Sequence, residues 1–264
     1  MKKWKTAILL FDLVAGLLFL GLWEKKNESA VLGVSALAAY TQEAGSGQRQ
    51  DYNKDRGIRS NDAGSETAIE NNAIREQTEE VKKIALTFDD GPHPYYTEEL
   101  LDGLKERGVV ATFFVTGEHA SLHPDVIKRM QEEGHLIGNH TYSHMQLTKK
   151  NREKFKEELV RTNQVLHEIT GVEVEYVRPP YGCWDKSFEE ELNMFPVLWT
   201  IDPLDWCSSN VGYITERVVE KAGENEIILM HDYYDTSVTA ALRVVDELLE
   251  EGYVFVTVEE ILFE

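Results

Sequence analysis

Ile84-Ala85-Leu86-Thr87-Phe88-Asp89-Asp90-Gly91-Pro92 decides how this chain is to be read. An apolar run of strand length feeds two adjacent carboxylates and then a Gly-Pro turn, so a buried strand is predicted to end on a pair of acids. Side chains alternate along a strand, but the twist and turn at its end can aim two neighbours into one cavity. Two carboxylates placed there are costly unless paired, hydrogen-bonded or bound to a cation. The stretch is therefore a candidate for metal chemistry at a strand end.

From Val81 onward, short apolar runs alternate with amphipathic stretches. Strands are predicted at Ile84–Phe88, Ala111–Val115, Leu136–Asn139, Tyr176–Arg178, Val197–Ile201, Ile227–Met230 and Val254–Val258. Phe155, Leu159, Leu166 and Ile169 mark one face of a helix, and Val238, Ala241, Leu242, Val245, Leu248 and Leu249 mark another. Gly108, Gly134, Gly171 and Gly252 fall where helices should end. Strand and helix alternating about seven times imply a parallel sheet, open or closed into a barrel. Either form binds ligands beyond the C-terminal ends of its strands. Every candidate below falls at such an end.

His140-Thr141-Tyr142-Ser143-His144 follows the third strand. Two histidines at this spacing share one side of a helical turn, which suits coordination of one cation. With Asp90 they make a three-ligand site that leaves positions for water and substrate. Arg178-Pro179-Pro180-Tyr181-Gly182 closes another strand. Its prolines fix a rigid extended loop, Arg178 can hold a carboxylate, and the Tyr181 N–H can donate to an oxyanion. Asp202-Pro203-Leu204-Asp205-Trp206 and Leu229-Met230-His231-Asp232 follow two later strands. His231 beside a carboxylate suits a proton donor whose pKa must be raised, with Asp205 the expected partner and Asp232 pointing elsewhere. Trp206 and Leu229 offer an apolar wall for a small acyl methyl group.

In order and spacing, Thr87–Pro92, His140–His144, Arg178–Gly182, Asp202–Trp206 and Leu229–His231 resemble the five motifs of the polysaccharide deacetylases, the NodB-homology family of carbohydrate esterases. The resemblance covers residues 81–264, with no substitution at a motif position. It implies an α/β fold, a distorted, incomplete (β/α) barrel of about seven parallel strands. It also implies metal-dependent removal of N-acetyl groups from amino-sugar polymers. The family pattern assigns Asp90, His140 and His144 to the metal and Asp89 to the role of general base oriented by Arg178. It assigns the Tyr181 N–H to the oxyanion and His231, tuned by Asp205, to protonation of the departing amine. Pro180, Tyr181, Trp206 and Leu229 are expected to line the substrate groove. Two imidazoles and one carboxylate suit Zn²⁺, while Co²⁺, Ni²⁺ or Mn²⁺ could occupy the same ligands.

The formal net charge of -20 argues against a phosphate-backbone partner such as nucleic acid and favours a neutral or cationic substrate. The expected partner is an N-acetylated glycan, with peptidoglycan N-acetylglucosamine foremost; chitin oligomers and O-acetylated xylan are the alternatives. The catalytic domain is expected to be monomeric.

Lys2, Lys3 and Lys5 precede an apolar run from Thr6 to Trp23 interrupted by Asp12. As a helix the run would be about 27 Å long, at the short end of a membrane span. Residues 1–25 are therefore read as an anchor, with the bulk of the chain outside the cell. A secreted form cleaved near Ala36-Leu37-Ala38 is the alternative. Residues 26–80 read as an extracytoplasmic linker, with a short surface helix from Ala68 to Val81. Cys183 and Cys207 should sit at the same rim, where a disulfide or two free thiols would fit. His93, His119, His123, His135 and His167 are read as surface or capping residues. Trp184, Tyr233 and Tyr234 are candidates for stacking on sugar rings or for loop packing.

Overall fold

The computed structural model describes residues 81–263. The expected anchor, the linker and its short helix lie outside those residues, apart from Val81. Among the described residues no helix is long and apolar enough to cross a membrane.

The elements run β1 (Lys82–Asp89), α1 (Tyr96–Arg107), β2 (Thr112–Val115), α2 (Gly117–Leu122), α3 (Pro124–Glu132), β3 (Leu136–Asn139) and α4 (Arg152–Thr170). They continue with β4 (Tyr176–Val177), α5 (Ser187–Leu192), β5 (Phe195–Pro196), α6 (Val211–Val219), β6 (Glu226–His231), α7 (Asp235–Glu250), β7 (Tyr253–Val256) and α8 (Val258–Phe263). The strand pairings are parallel, in the order β5-β4-β3-β2-β1-β6. β6 runs along one edge of β1, while β7 takes the first half of the other edge and β2 the second half. Ile84 to Asp89 are all buried, as befits a strand covered on both faces. Helix α7 presses Val238, Ala241, Val245 and Leu248 into the main core, but Leu249, counted in the predicted stripe, is exposed. Gly108 and Gly171 end α1 and α4 with φ of 64° and 74°, the left-handed conformation that glycine adopts without steric cost.

Val197–Ile201 departs from the strand expectation. Val197 N–H donates to Val177 O (2.8 Å) on the β4 side, while Leu229 N–H donates to Ile201 O (2.9 Å) on the β6 side. The segment thus crosses from one end of the sheet to the other and curls it into an incomplete (β/α) barrel, with a single bridge at Ile201 and Ile228. A side chain takes the place of the missing ladder. Buried Arg178 donates from Nε to Val197 O (3.1 Å) and from Nη2 to Leu198 O (3.2 Å).

Cys183 and Cys207 are free thiols. His135 is no surface residue: it is buried, accepts the Ala111 N–H at Nδ1, and is pulled down to about 4 by burial, so it stays neutral. Trp184 packs on Phe188 (ring centroids 5.4 Å apart), a loop-packing role.

Candidate active site

The ends of β1 and β6 set the geometry. Asp89 and His231 are register partners across this pair, so a carboxylate and an imidazole begin on neighbouring strands. Asp89 is buried, and its Oδ1 accepts from Arg178 Nη1 at 2.9 Å. The same guanidinium nitrogen donates to Thr87 Oγ1 (2.6 Å), which itself donates to Ile228 O (2.6 Å). Arg178 lies over the Phe114 ring at 4.2 Å. One side chain therefore closes the barrel seam and fixes Asp89. Burying a guanidinium is tolerable here because it donates to Val197 O, Leu198 O, Thr87 Oγ1 and the Asp89 carboxyl group.

This arrangement has a measurable consequence. Arg178→Met keeps the bulk but strands Asp89 in the interior and frees two seam carbonyls, so it should destabilise the fold by about 3–5 kcal/mol. Thermal unfolding followed by circular dichroism checks it. A Tm within about 2 °C of wild type would show that the guanidinium is not needed for stability.

Asp90, His140 and His144 come together, their donor atoms within 4.8 Å of one another. Asp90 Oδ1 lies 3.5 Å from His140 Nε2 and 3.4 Å from His144 Nε2. A tetrahedral cation with bonds of about 2.0–2.1 Å needs ligand atoms about 3.3–3.4 Å apart, so these two distances suit sharing of one ion. His140 Nδ1 donates to the Arg178 carbonyl (2.6 Å), which leaves the Nε2 lone pair facing the site. Such an outer hydrogen bond is the usual way a ligating imidazole is oriented.

The electrostatics agree. Burial alone would raise the Asp90 pKa, but the His140 hydrogen bond and the charges of His140, His231 and His144 hold it well below the ordinary range. Burial pulls His140 down, yet Asp89 and Asp90 outweigh it and raise its pKa, a sign that these carboxylates call for positive charge. His144 is lowered, first by burial and then by His140, towards the neutral form a ligand needs.

The histidine pair does not lie on a helical turn, contrary to the spacing argument. The segment is a loop in which Thr141 (φ 63°) and His144 (φ 54°) adopt the left-handed conformation. Asn139 Oδ1 accepts the Thr141 N–H (2.7 Å), and Glu158 accepts from the Ser143 N–H (2.6 Å) and hydroxyl (2.9 Å). Asp90 (φ 77°), Tyr181 (φ 59°) and Leu204 (φ 59°) share that conformation. The other non-glycine cases among the described residues are Asn193 and Asn225, a residue type that tolerates it. Backbone strain is thus concentrated in the loops that carry the candidate residues.

His231 Nδ1 donates to Asp205 Oδ1 (2.9 Å), and Asp205 Oδ2 accepts the His231 backbone N–H (2.9 Å). Burial lowers the imidazole, but Asp205, with smaller help from Asp90 and Asp89, raises it to about 9. Asp202 Oδ1 accepts the Leu204 N–H (2.8 Å) and so shapes the turn presenting Asp205. Asp232 does point elsewhere: it is buried, accepts from Thr97 Oγ1 (2.5 Å) and is raised to about 7, first by burial. Its carboxylate explains Gly91, where an added Cβ would sit 2.2 Å from Asp232 Oδ2.

Tyr181 and Trp206 are exposed, Tyr181 meets His144 edge-on (5.0 Å), and Pro180 and Leu229 are buried. Sequence reasoning missed His119, whose Nδ1 donates to the Asp90 carbonyl (2.7 Å), and Thr116, whose N–H donates to Gly91 O (3.0 Å). Neither lies at a spacing that marks it; only the β1–β2 pairing brings them to the Asp90 loop.

The polysaccharide deacetylase family model matches residues 76–197. PdaC of Bacillus subtilis, a peptidoglycan-N-acetylmuramic acid deacetylase, is 39% identical over 180 residues, 68% of this chain and 38% of that protein. Its solved structure superposes with a TM-score of 0.67 at 39% identity, covering 69% of this chain and 90% of the solved one. PgdA of Listeria monocytogenes, a peptidoglycan-N-acetylglucosamine deacetylase, is 38% identical over 68% of this chain and 39% of that protein. PdaA of Bacillus subtilis, a peptidoglycan-N-acetylmuramic acid deacetylase, is 35% identical over 69% of this chain and 72% of its own length. The chain matches about two fifths of the length of PdaC and of PgdA. With the barrel, the five motifs and these relatives in agreement, the chain belongs to the polysaccharide deacetylase family.

Proposed function

We propose that residues 81–264 are the catalytic domain of a metal-dependent hydrolase that removes N-acetyl groups from amino-sugar residues of a polysaccharide, N-acetylglucosamine of peptidoglycan foremost. One observation carries this reading: the Asp90, His140 and His144 donor atoms sit at ion-sharing distances, between a buried Asp89–Arg178 pair and a His231–Asp205 pair. A divalent cation bound there would polarise the acetamido carbonyl and make water a competent nucleophile near neutral pH. Zn²⁺ is the preferred ion for two imidazoles and a carboxylate, with Co²⁺, Ni²⁺ or Mn²⁺ as substitutes.

The chain's own residues supply the rest. Arg178 occupies Asp89 Oδ1, so Oδ2, 3.7 Å from His140 Nε2, is the oxygen that takes a proton as water attacks the carbonyl carbon. The Tyr181 N–H donates to the oxygen on which negative charge develops. His231 spends its Nδ1 proton on Asp205, so Nε2 protonates the sugar nitrogen as the C–N bond breaks. The products are acetate and a free amine. Pro180, Tyr181, Trp206 and Leu229 form the walls of the groove, and Leu229 and Trp206 face the acetyl methyl.

The N-terminal lysines and apolar run support an extracytoplasmic placement beside the wall polymer, with residues 1–25 as anchor and 26–80 as linker. The decisive experiment is mass spectrometry of defined chitin and peptidoglycan fragments incubated with the zinc-loaded chain. Loss of one acetyl unit per attacked sugar is expected, from glucosamine-type rings first. Fragments of unchanged mass throughout would overturn the assignment.

A further inference from the structure

Asp232 takes no part in the chemistry above, yet its burial asks for a reason. The side chain is 1% exposed, and Oδ1 has no hydrogen-bond partner among the described residues. An interior acid with an orphaned oxygen costs free energy, so stability of the fold does not account for it. What the carboxyl group does is geometric. Oδ2 accepts from Thr97 Oγ1 (2.5 Å), and the same hydroxyl oxygen accepts the His93 N–H (2.7 Å). The carboxyl group also lies against Gly91, where an added Cβ would overlap both of its oxygens.

The turn that follows β1 is thus held from the β6 side at Gly91 and at His93. β1 lies between β6 and β2 in the sheet, and the loop after β2 holds the same turn from its other side. There His119 Nδ1 donates to the Asp90 carbonyl (2.7 Å) and the Thr116 N–H donates to Gly91 O (3.0 Å). One peptide bond joins Asp232 to His231, whose backbone N–H and Nδ1 are both fixed by Asp205 (2.9 Å each). A single residue therefore ties the strand that carries the proton donor to the turn that carries a metal-ligand candidate.

We infer that Asp232, acting through Thr97 and Gly91, is a positioning residue that sets Asp90 in place for the metal and fixes its separation from His231. The inference rests on the deacetylase reading given above. It matters because a reacting group displaced by about 1 Å can cost about a hundredfold in rate. Partners that orient a ligand from behind carry about ten- to a hundredfold in metal affinity or activity.

The test measures zinc affinity of the full metal-free chain by competition with a chromophoric chelator, and then acetate release at saturating zinc. Asp232→Ala and Thr97→Val should each bind zinc about tenfold more weakly or worse. Their kcat should fall by a similar factor while KM holds, since no groove residue is touched. Asp232→Asn keeps the planar shape and an oxygen for the Thr97 hydroxyl, and Thr97→Ser keeps the hydroxyl. Both should stay within about threefold of wild type. Because the two side chains act through one linkage, the double variant Asp232→Ala, Thr97→Val should bind zinc no more weakly than the worse single variant. Wild-type zinc affinity in folded Asp232→Ala or Thr97→Val overturns the inference and leaves the deacetylase assignment intact. An equal loss in Asp232→Asn and Asp232→Ala also overturns it, since charge and not placement would then be at work. If Asp232→Ala does not fold, Thr97→Val against Thr97→Ser decides. A wild type that binds zinc but releases no acetate removes the proposed function, and the zinc affinities still decide the role of Asp232.

Discussion

Asp90→Asn should leave a folded chain that no longer retains a stoichiometric divalent ion and releases acetate on the order of a thousandfold more slowly, or worse. Asn is the informative replacement because Asp90 sits at φ 77°, which Asn tolerates and Ala does not without added strain. The side chain keeps its size, so the hydrogen bond from His119 to the Asp90 carbonyl and the packing of the turn are undisturbed. What disappears is the charge. Asp90 Oδ1 is the donor common to both imidazoles, and without it the site offers two imidazoles and an Asp89 already committed to Arg178. Elemental analysis after dialysis reports the metal, and acetate release reports the chemistry. His140→Ala should fail in the same way, and chelator treatment followed by zinc should remove and restore activity in wild type alone. Stoichiometric zinc with undiminished turnover in Asp90→Asn would remove the basis of the proposed mechanism.

Much of this was legible in the residues. Leu136–Asn139 is a strand as predicted, and the apolar run of β1 marks a strand buried on both faces. The five motifs lie at the strand ends because a parallel sheet gathers all its C-terminal loops on one rim. The unread parts share a cause: they depend on contacts between residues distant in sequence. Val197–Ile201 has strand composition, yet Arg178 takes two of its neighbouring carbonyls and only Ile201 keeps a bridge, so composition alone misjudges it. The spacing of His140 and His144 fits a helical turn, but Asn139 and Glu158 capture the intervening N–H groups and hold an irregular loop. From sequence His119 reads as a surface or capping residue. It is drawn to Asp90 by the pairing of β1 with β2, which no local pattern encodes.

The second large effect concerns the proposed proton donor. His231→Ala should lower kcat by about 10²–10⁴, the range for loss of a positioned acid. Asp205→Asn tests how that acid is made. Burial disfavours the imidazolium, and Asp205 supplies the leading opposing contribution, so the imidazole stands at about 9. With Asn in place, burial is no longer offset, and titration of His231 in the metal-free chain should fall by about two units or more. Imidazole NMR measures this directly. The stability of wild type follows with a definite sign. The folded value lies above the ordinary 6.5, so the folded chain holds this proton more tightly than the unfolded one. The resulting stabilisation is complete below about pH 6.5, declines as pH rises, and is lost above about pH 9. Asp205→Asn should flatten that portion of the stability curve. Asp90 and Asp89 also raise His231, and a bound cation would offset their charges. The alkaline limb of kcat in the loaded enzyme is accordingly expected below pH 9, and in Asp205→Asn lower still. An alkaline limb and an imidazole titration that both ignore Asp205→Asn would show that His231 is not tuned by this carboxylate.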